Sequence, residues 1–315
     1  MQHFFSVGSA WPRDGAAAVT LRTGVAHIGA RLPYLRELAK LRVRAQWQRT
    51  LTRRWLHLLN SHPFLGQLAG SAPQLLHKVY RPYLTATLGP ERRLLALEQH
   101  YRFIIAHRLE ALVLQAARGG VALSEFEGKC GTPYEVRLYA VAPLEREGEL
   151  VLQLRTGATL VYSLAFSFFG AEGAHALNVG CVQGARGAAA PELIRACTRA
   201  LHGLRPKNLL LGLVRQIGHD AGCSHLQLVG NANRVVKGAL RQGKVMADYD
   251  QAWTELGAVQ RADGDFELDC RVLSAPQMEE VESKRRSEVR KRYALCSAVH
   301  AAVSERIGVQ KITLG

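Results

Sequence analysis

The chain has 315 residues, of which 48% are apolar and 21% charged, proportions of an ordinary globular protein that exclude a disordered or fibrous one. Lys and Arg number 41 against 26 Asp and Glu, so the formal net charge is +15. A balance this basic draws polyanions: nucleic acid, anionic lipid, acidic partners or phosphorylated cofactors. The longest apolar stretch without a charge, Ala158 to Ala171, falls short of the ~20 residues a spanning helix needs. The start, Met1-Gln2-His3-Phe4-Phe5, lacks the basic and apolar regions of a secretory signal, so a cytoplasmic protein is expected. The six cysteines form no C-x-x-C pair and read as small hydrophobes in a reducing compartment, with no dedicated metal site.

Residues 1–32 are rich in Ala, Gly and Thr without a sustained period and are expected as a poorly ordered lead. Residues 33–120 then form a helical region. Tyr34, Leu35, Leu38, Leu41 and Ala45 make one stripe, and Leu51, Trp55, Leu58 and Leu59 a second. Asn60-Ser61-His62-Pro63 stops that helix. One further helix carries Leu94, Leu97, Tyr101, Ile104, Leu109 and Val113, and Gly119-Gly120 closes it.

Residues 121–315 are expected as an α/β domain. Val121–Glu127, Tyr134–Val141, Leu150–Arg155, Thr159–Phe169 and Ala176–Gln183 are short runs rich in β-branched and aromatic residues, divided by turn chemistry. Thr156-Gly157 predicts a tight antiparallel hairpin. Helices return with Pro191 in a first turn, followed by a second helix capped by Asn208 and ended at Gly222. His225–Val229 is a strand, expected parallel beside 176–183 because a helical crossover joins the two. Asp248 to Leu256 is a helix, Asp263-Gly264 turns a hairpin, and Ser274 opens a last helix running to about Ile307. The fold class is therefore α/β, with a mixed, largely antiparallel sheet preceded by a helical N-terminal region.

One segment suggests chemistry. Gln183-Gly184-Ala185-Arg186-Gly187-Ala188 follows a strand and precedes a helix, where backbone N–H groups and the positive helix end can cradle a pyrophosphate. The alternative is that its glycines only make a turn. Lys207, at the start of the next helix, could hold a phosphate or stand solvated. Asp248-Tyr249-Asp250 offers carboxylates and a phenol for acid–base work, or for capping. No G-x-S-x-G elbow, P-loop, Rossmann fingerprint or dedicated nucleic-acid motif occurs. The run from Lys284 to Arg292 is strongly basic, with its cations spread around the helix. It reads as a solvated helix or as a docking surface for phosphate groups.

The order strand, Q-x-x-G-x-G/A-like turn, helix, strand, helix ending in Leu-Gly, hairpin resembles the N-acetyltransferase superfamily that binds acyl-coenzyme A. In that pattern Gln183 takes the first position and Ala188 the last, while Arg186 stands where a glycine is expected. A more specific resemblance is to the bacterial VirK/YbjX-like proteins. It rests on Lys78-Val-Tyr-Arg-Pro-Tyr83, His100-Tyr101, Gly180–Gly187, Leu201–Lys207, Gly243–Asp250 with Trp253 and Leu256-Gly257, Ser283–Arg286 and Arg290–Tyr293. That family is associated with envelope integrity and resistance to cationic peptides. The VirK/YbjX-like resemblance names a family without a mechanism; the acyltransferase resemblance implies transfer of an acyl group from a coenzyme A-type thioester to an amine on a small molecule or peptide. The 183–188 backbone and Arg186 would hold the pyrophosphate with Lys207 assisting, and Tyr249 or Asp248 would manage protons. The alternative is a non-catalytic basic module for an anionic polymer or membrane surface.

Overall fold

The computed structural model describes residues 18–170, 176–236 and 248–308. Residues 1–17 of the expected lead, and 243–247 of the Gly243–Asp250 block, lie outside the described residues. Residues 18–30, also expected as lead, hold a 3-10 turn at Thr23–Val25. There Asn60 ties down the backbone of Val19, accepting from its N–H and donating to its C=O.

The helical region is α1 (Arg31–Trp47), α2 (Arg49–Ser61), α3 (Pro63–Ser71), a 3-10 segment at Pro73–Tyr80, α4 (Pro90–Ala106) and α5 (Glu110–Gly119). On α1, Leu38, Leu41 and Ala45 are buried as expected, but Leu35, at the edge of that stripe, is exposed. Pro63 does end α2, yet it also begins α3 at the first-turn position proline favours. His62 caps that helix, its Nδ1 accepting from the Phe64 N–H at 3.3 Å. The single helix expected over 94–113 is two. Arg108 takes a left-handed φ of 56°, the Leu109 N–H returns to the Ile104 carbonyl and the Arg108 N–H to that of Ile105. That is a Schellman closure, made without the glycine that usually announces one. Gly120, at φ 80°, ends α5 as expected.

The strands are β1 (Val121–Glu127), β2 (Pro133–Ala140), β3 (Leu150–Thr156), β4 (Thr159–Phe168), β5 (Leu177–Gly184), β6 (His225–Leu228), β7 (Val259–Gln260) and β8 (Phe266–Asp269). They form one eight-stranded sheet in the order β1-β2-β3-β4-β5-β6-β8-β7. Every neighbouring pair is antiparallel except β5 and β6, which run parallel over Leu177–Val179 and Leu226–Leu228. The link between them is α6 (Ala190–Ala200) and α7 (Pro206–Asp220), so the crossover expected from the sequence is present. Asn208 does not cap α7. Arg205 holds that position, Pro206 follows it, and among the described residues the buried Asn208 side-chain oxygen accepts no hydrogen bond. After β6 come α8 (Tyr249–Thr254) and α9 (Arg286–Ile307).

The last helix starts at Arg286, twelve residues later than the Ser274 signal predicts. Burial explains the delay. The buried positions are Cys296, Val299, His300 and Val303, at helical spacing, whereas nothing from 274 to 285 is buried. The cysteines are free, and all but Cys130 and Cys270 are buried; Cys130 is exposed, contrary to the expectation of a buried hydrophobe.

A main hydrophobic core runs from Val19 through the α2–α5 helices and the sheet to Val303. Inside it lies a polar network joining the helical region to the sheet. Lys78 donates to Glu149 at 2.6 Å, and the pair is 3% and 1% exposed. The other Glu149 oxygen accepts from the Tyr101 hydroxyl, and the Glu149 N–H donates to Ser167 Oγ, which also bonds Tyr83. His100 accepts from the Phe168 N–H next to it. Burial pushes His100 down to about 4, so it is neutral. Lys78, Tyr83, His100 and Tyr101, four residues of the quoted family blocks, thus meet in one buried cluster.

Candidate functional site

The site begins where the parallel pairing ends. The last rung is the Val229 N–H to the Val179 carbonyl, after which the β6 chain turns away. Acidic side chains hold that turn: Asp265 accepts from the Gly230 N–H at 2.9 Å and Asp250 from the Asn231 N–H at 2.8 Å. Gly230 must be glycine, since a Cβ there would run into the Gly264 carbonyl. Among the described residues the edge of β5 beyond Val179 has no strand partner on this side.

Tyr249 fills the gap. Its hydroxyl accepts from the Val182 N–H and donates to the Val182 carbonyl, both at 2.8 Å. A side chain thus does the work of a missing strand, satisfying two buried backbone groups. Beside it, the indole of Trp253 donates to the Val229 carbonyl at 2.9 Å, and the Arg234 guanidinium lies 3.8 Å over the Tyr249 ring. Burial and the neighbouring Cys181 push the Tyr249 hydroxyl far up, so it keeps its proton at neutral pH. Burial first, then Glu147, raises the Cys181 thiol; that cysteine is inert.

Above this floor opens a cleft of about 660 Å³, lined by Tyr162 and Val182 of the sheet, by one face of α6, by the start of α7 and by α8. That volume suits a small-molecule site, for which the usual range is roughly 300–1,000 Å³. Its place, at the carboxyl end of β5 where the connectivity crosses over, is where open α/β sheets bind ligands. Four cations line it, Arg195, Arg199, Arg205 and Lys207, against the carboxylates of Asp248 and Glu255. Arg205 and Lys207 share Glu255 at 3.1 and 3.5 Å, and Glu192 pairs with Arg195 and Arg199. The cations are held in place by exposed acids that an incoming polyanion can displace.

Of the residues singled out in the sequence, Lys207, Asp248 and Tyr249 share this cleft. Asp248 caps α8, accepting from the Gln251 N–H at 3.1 Å and from the Asn231 amide at 2.7 Å. Those bonds hold its carboxyl below the usual range. Gln183, Gly184, Ala185, Arg186, Gly187 and Ala188 are not among the lining residues. The Ala185 N–H donates to the Val161 carbonyl, the Ala190 N–H to that of Gly187, and Pro191 has none. Arg186 is exposed and donates to Gln183 at 3.0 Å. Gly184 lets helix and strand touch: a Cβ there would stand 2.8 Å from Ile194 and 2.9 Å from Tyr162. Among the described residues the N–H groups of Arg186, Gly187 and Ala188 return to no backbone carbonyl, while the glycines at 180 and 184 serve close packing.

Sequence reasoning missed Arg195, Thr198, Arg199, Arg205 and Glu255. The signal was present on α6, where Ile194, Arg195, Thr198 and Arg199 recur at i, i+4 spacing on one face.

The architecture is that of a mixed α/β protein with a helical N-terminal region and a basic cleft at the parallel β5–β6 crossover. The family model described as "Protein of unknown function (DUF535)" matches residues 31–305, and the chain belongs to that family. It is 26% identical to the uncharacterized protein YbjX of Escherichia coli (strain K12) over 250 residues, 78% of this chain and 76% of that one. It is 24% identical to an uncharacterized protein of Haemophilus influenzae over 259 residues, 82% of this chain and 84% of the other. Among solved structures it is similar to a mutant form of a cAMP-binding acyltransferase from Mycobacterium smegmatis, at 13% identity and a TM-score of 0.28. That match covers 69% of this chain and 62% of the other. Among the described residues no helix is long and apolar enough to cross a membrane.

Proposed function

We propose that the chain is a cytoplasmic N-acyltransferase that moves an acyl group from a coenzyme A-type thioester to an amine on a small molecule or peptide. The observation that carries this reading is the cleft itself, a basic cavity at the carboxyl end of β5 with a locked phenol on its floor. The cation-lined side, with Lys207 and Arg205 at the start of α7, takes the phosphates. The apolar floor at Tyr162 and Val182 takes the arm that carries the acyl group. In the transfer the amine nitrogen bonds to the thioester carbonyl carbon, the carbon–sulfur bond breaks, the amine loses a proton and the thiolate gains one. Tyr249, its proton engaged by the Val182 carbonyl, positions the thioester from the floor of the cleft. Asp248, ionised at neutral pH, stands on the acceptor side.

A thermal-shift screen with coenzyme A and short acyl-coenzyme A thioesters tests the binding step. Ligand at 100 times its dissociation constant stabilises the fold by about 2.7 kcal/mol. Mass spectrometry of an amine panel incubated with the bound thioester tests transfer. Absence of any shift removes the cofactor reading, and a shift without acylated product leaves a binding protein in its place. The second reading, a module for an anionic polymer, draws on the exposed Lys284 and Arg285 just before α9 and Arg290 and Lys291 within it. Duplex DNA in the same screen separates the two.

A further inference from the structure

Helix α1 is apolar on two opposite faces. Leu38, Leu41 and Ala45 turn inward, where Leu38 and Leu41 pack with Val25 in a small core of their own. On the other side Leu32, Leu35, Ala39, Val43 and Trp47 follow at spacings of three and four and so form one continuous stripe. Among the described residues none of the five is covered. Leu32 is 80% exposed, Leu35 49%, Val43 52% and Trp47 85%. These are four of the seven large hydrophobic residues exposed among the described residues, gathered on a single helix. From residue 32 to 47 the stripe runs about 22 Å, at 1.5 Å per residue.

Its flanks are basic. Arg31, Arg36 and Arg42 are exposed beside the stripe, and among the described residues none of them forms an ion pair. The one acid of α1, Glu37, is engaged by Lys40 at 2.7 Å. An aliphatic stripe ending in an exposed Trp and bordered by arginines matches the boundary of an anionic bilayer. There acyl chains take the stripe, the interface takes the indole and the headgroups take the guanidiniums. A second copy of the chain is a poorer occupant, because a two-fold interface would set these arginines against their own copies. A nucleic acid would leave the leucines and valine without a partner.

We propose that α1 docks the protein, lying flat, on a membrane surface rich in anionic lipid. The test is cosedimentation of the full chain with vesicles of phosphatidylglycerol in phosphatidylcholine, and with vesicles of phosphatidylcholine alone. Binding to the anionic vesicles that weakens with salt is expected. The double variant Leu32→Ser, Trp47→Ser lowers partitioning by about tenfold or more. Arg36→Ala with Arg42→Ala lowers it by a similar factor, since each cation near such a surface contributes about fivefold. On binding, Trp emission shifts to the blue in the wild type and not in Trp47→Phe. All four positions are exposed, so circular dichroism of the variants should match the wild type. Failure of the wild type to bind, or binding indifferent to both double variants, overturns the proposal. So does a wild-type dimer that the Leu32, Trp47 variant makes monomeric, which assigns the face to a second copy. Protection of Trp47 from acrylamide in the lipid-free monomer also overturns it, because the chain itself then covers the stripe.

Discussion

Replacing Lys78 by Met isolates the polar network that joins the helical region to the sheet. The substitution keeps the volume of the side chain and removes its charge. Glu149 is then left 1% exposed with the Tyr101 hydroxyl on one oxygen and no cation on the other. Removing one partner of a buried pair typically costs about 3–5 kcal/mol, because the remaining charge has neither water nor a counterion. Urea denaturation at constant pH measures the cost. Replacing Glu149 by Gln in the Lys78→Met background removes the stranded charge while keeping an acceptor for Tyr101. The double variant should therefore be more stable than Lys78→Met alone, with a coupling of about 2–3 kcal/mol. A Lys78→Met variant within about 1 kcal/mol of the wild type, or strictly additive effects, would show that Lys78 does not compensate the Glu149 charge.

Gly180→Ala should destabilise by about 1–3 kcal/mol or more, since a Cβ at 180 would overlap the Glu147 carbonyl oxygen, a backbone atom that cannot rotate away; a denaturation midpoint equal to the wild type counts against the close approach. His100 and His300 are both held down to about 4 by burial. The unfolded chain takes up these protons near pH 6.5 and the folded one does not. Stability should therefore fall as pH drops from about 6.5 to 4, by up to roughly 1.4 kcal/mol per pH unit for each residue. His300→Gln should flatten that slope, and a variant with the wild-type pH profile shows that His300 is not the group involved.

Much of the sheet was legible because strand runs and turn residues coincide. The five strands from Val121 to Gly184, the Thr156-Gly157 hairpin and the parallel seat of β6 all followed from alternation and connection length. Helix ends without the usual punctuation were not legible. The α4–α5 break uses Arg108 where a glycine would be expected, and Pro63 starts one helix while ending another. Ser274 looked like a cap because capping is local, whereas α9 begins only where tertiary burial can support it. In the site, the Asp248–Trp253 block could be found in the sequence. Its work could not, since Tyr249 bonds Val182 across 67 residues. The Gly-rich turn drew attention for its glycines. In the fold Gly180 and Gly184 admit Glu147, Ile194 and Tyr162, and the cations instead come from α6 and the start of α7.

Titration calorimetry with acetyl-coenzyme A asks whether the cleft lined by α6 and α8 holds a phosphorylated acyl-thioester cofactor. The wild type should bind saturably. Binding should be weakened by about 1.5–3 kcal/mol in Lys207→Ala, the scale of a charged hydrogen bond, and nearly unchanged in Arg186→Ala. No heat of binding from the wild type, or a loss that follows Arg186 and spares Lys207, would contradict binding in this cleft.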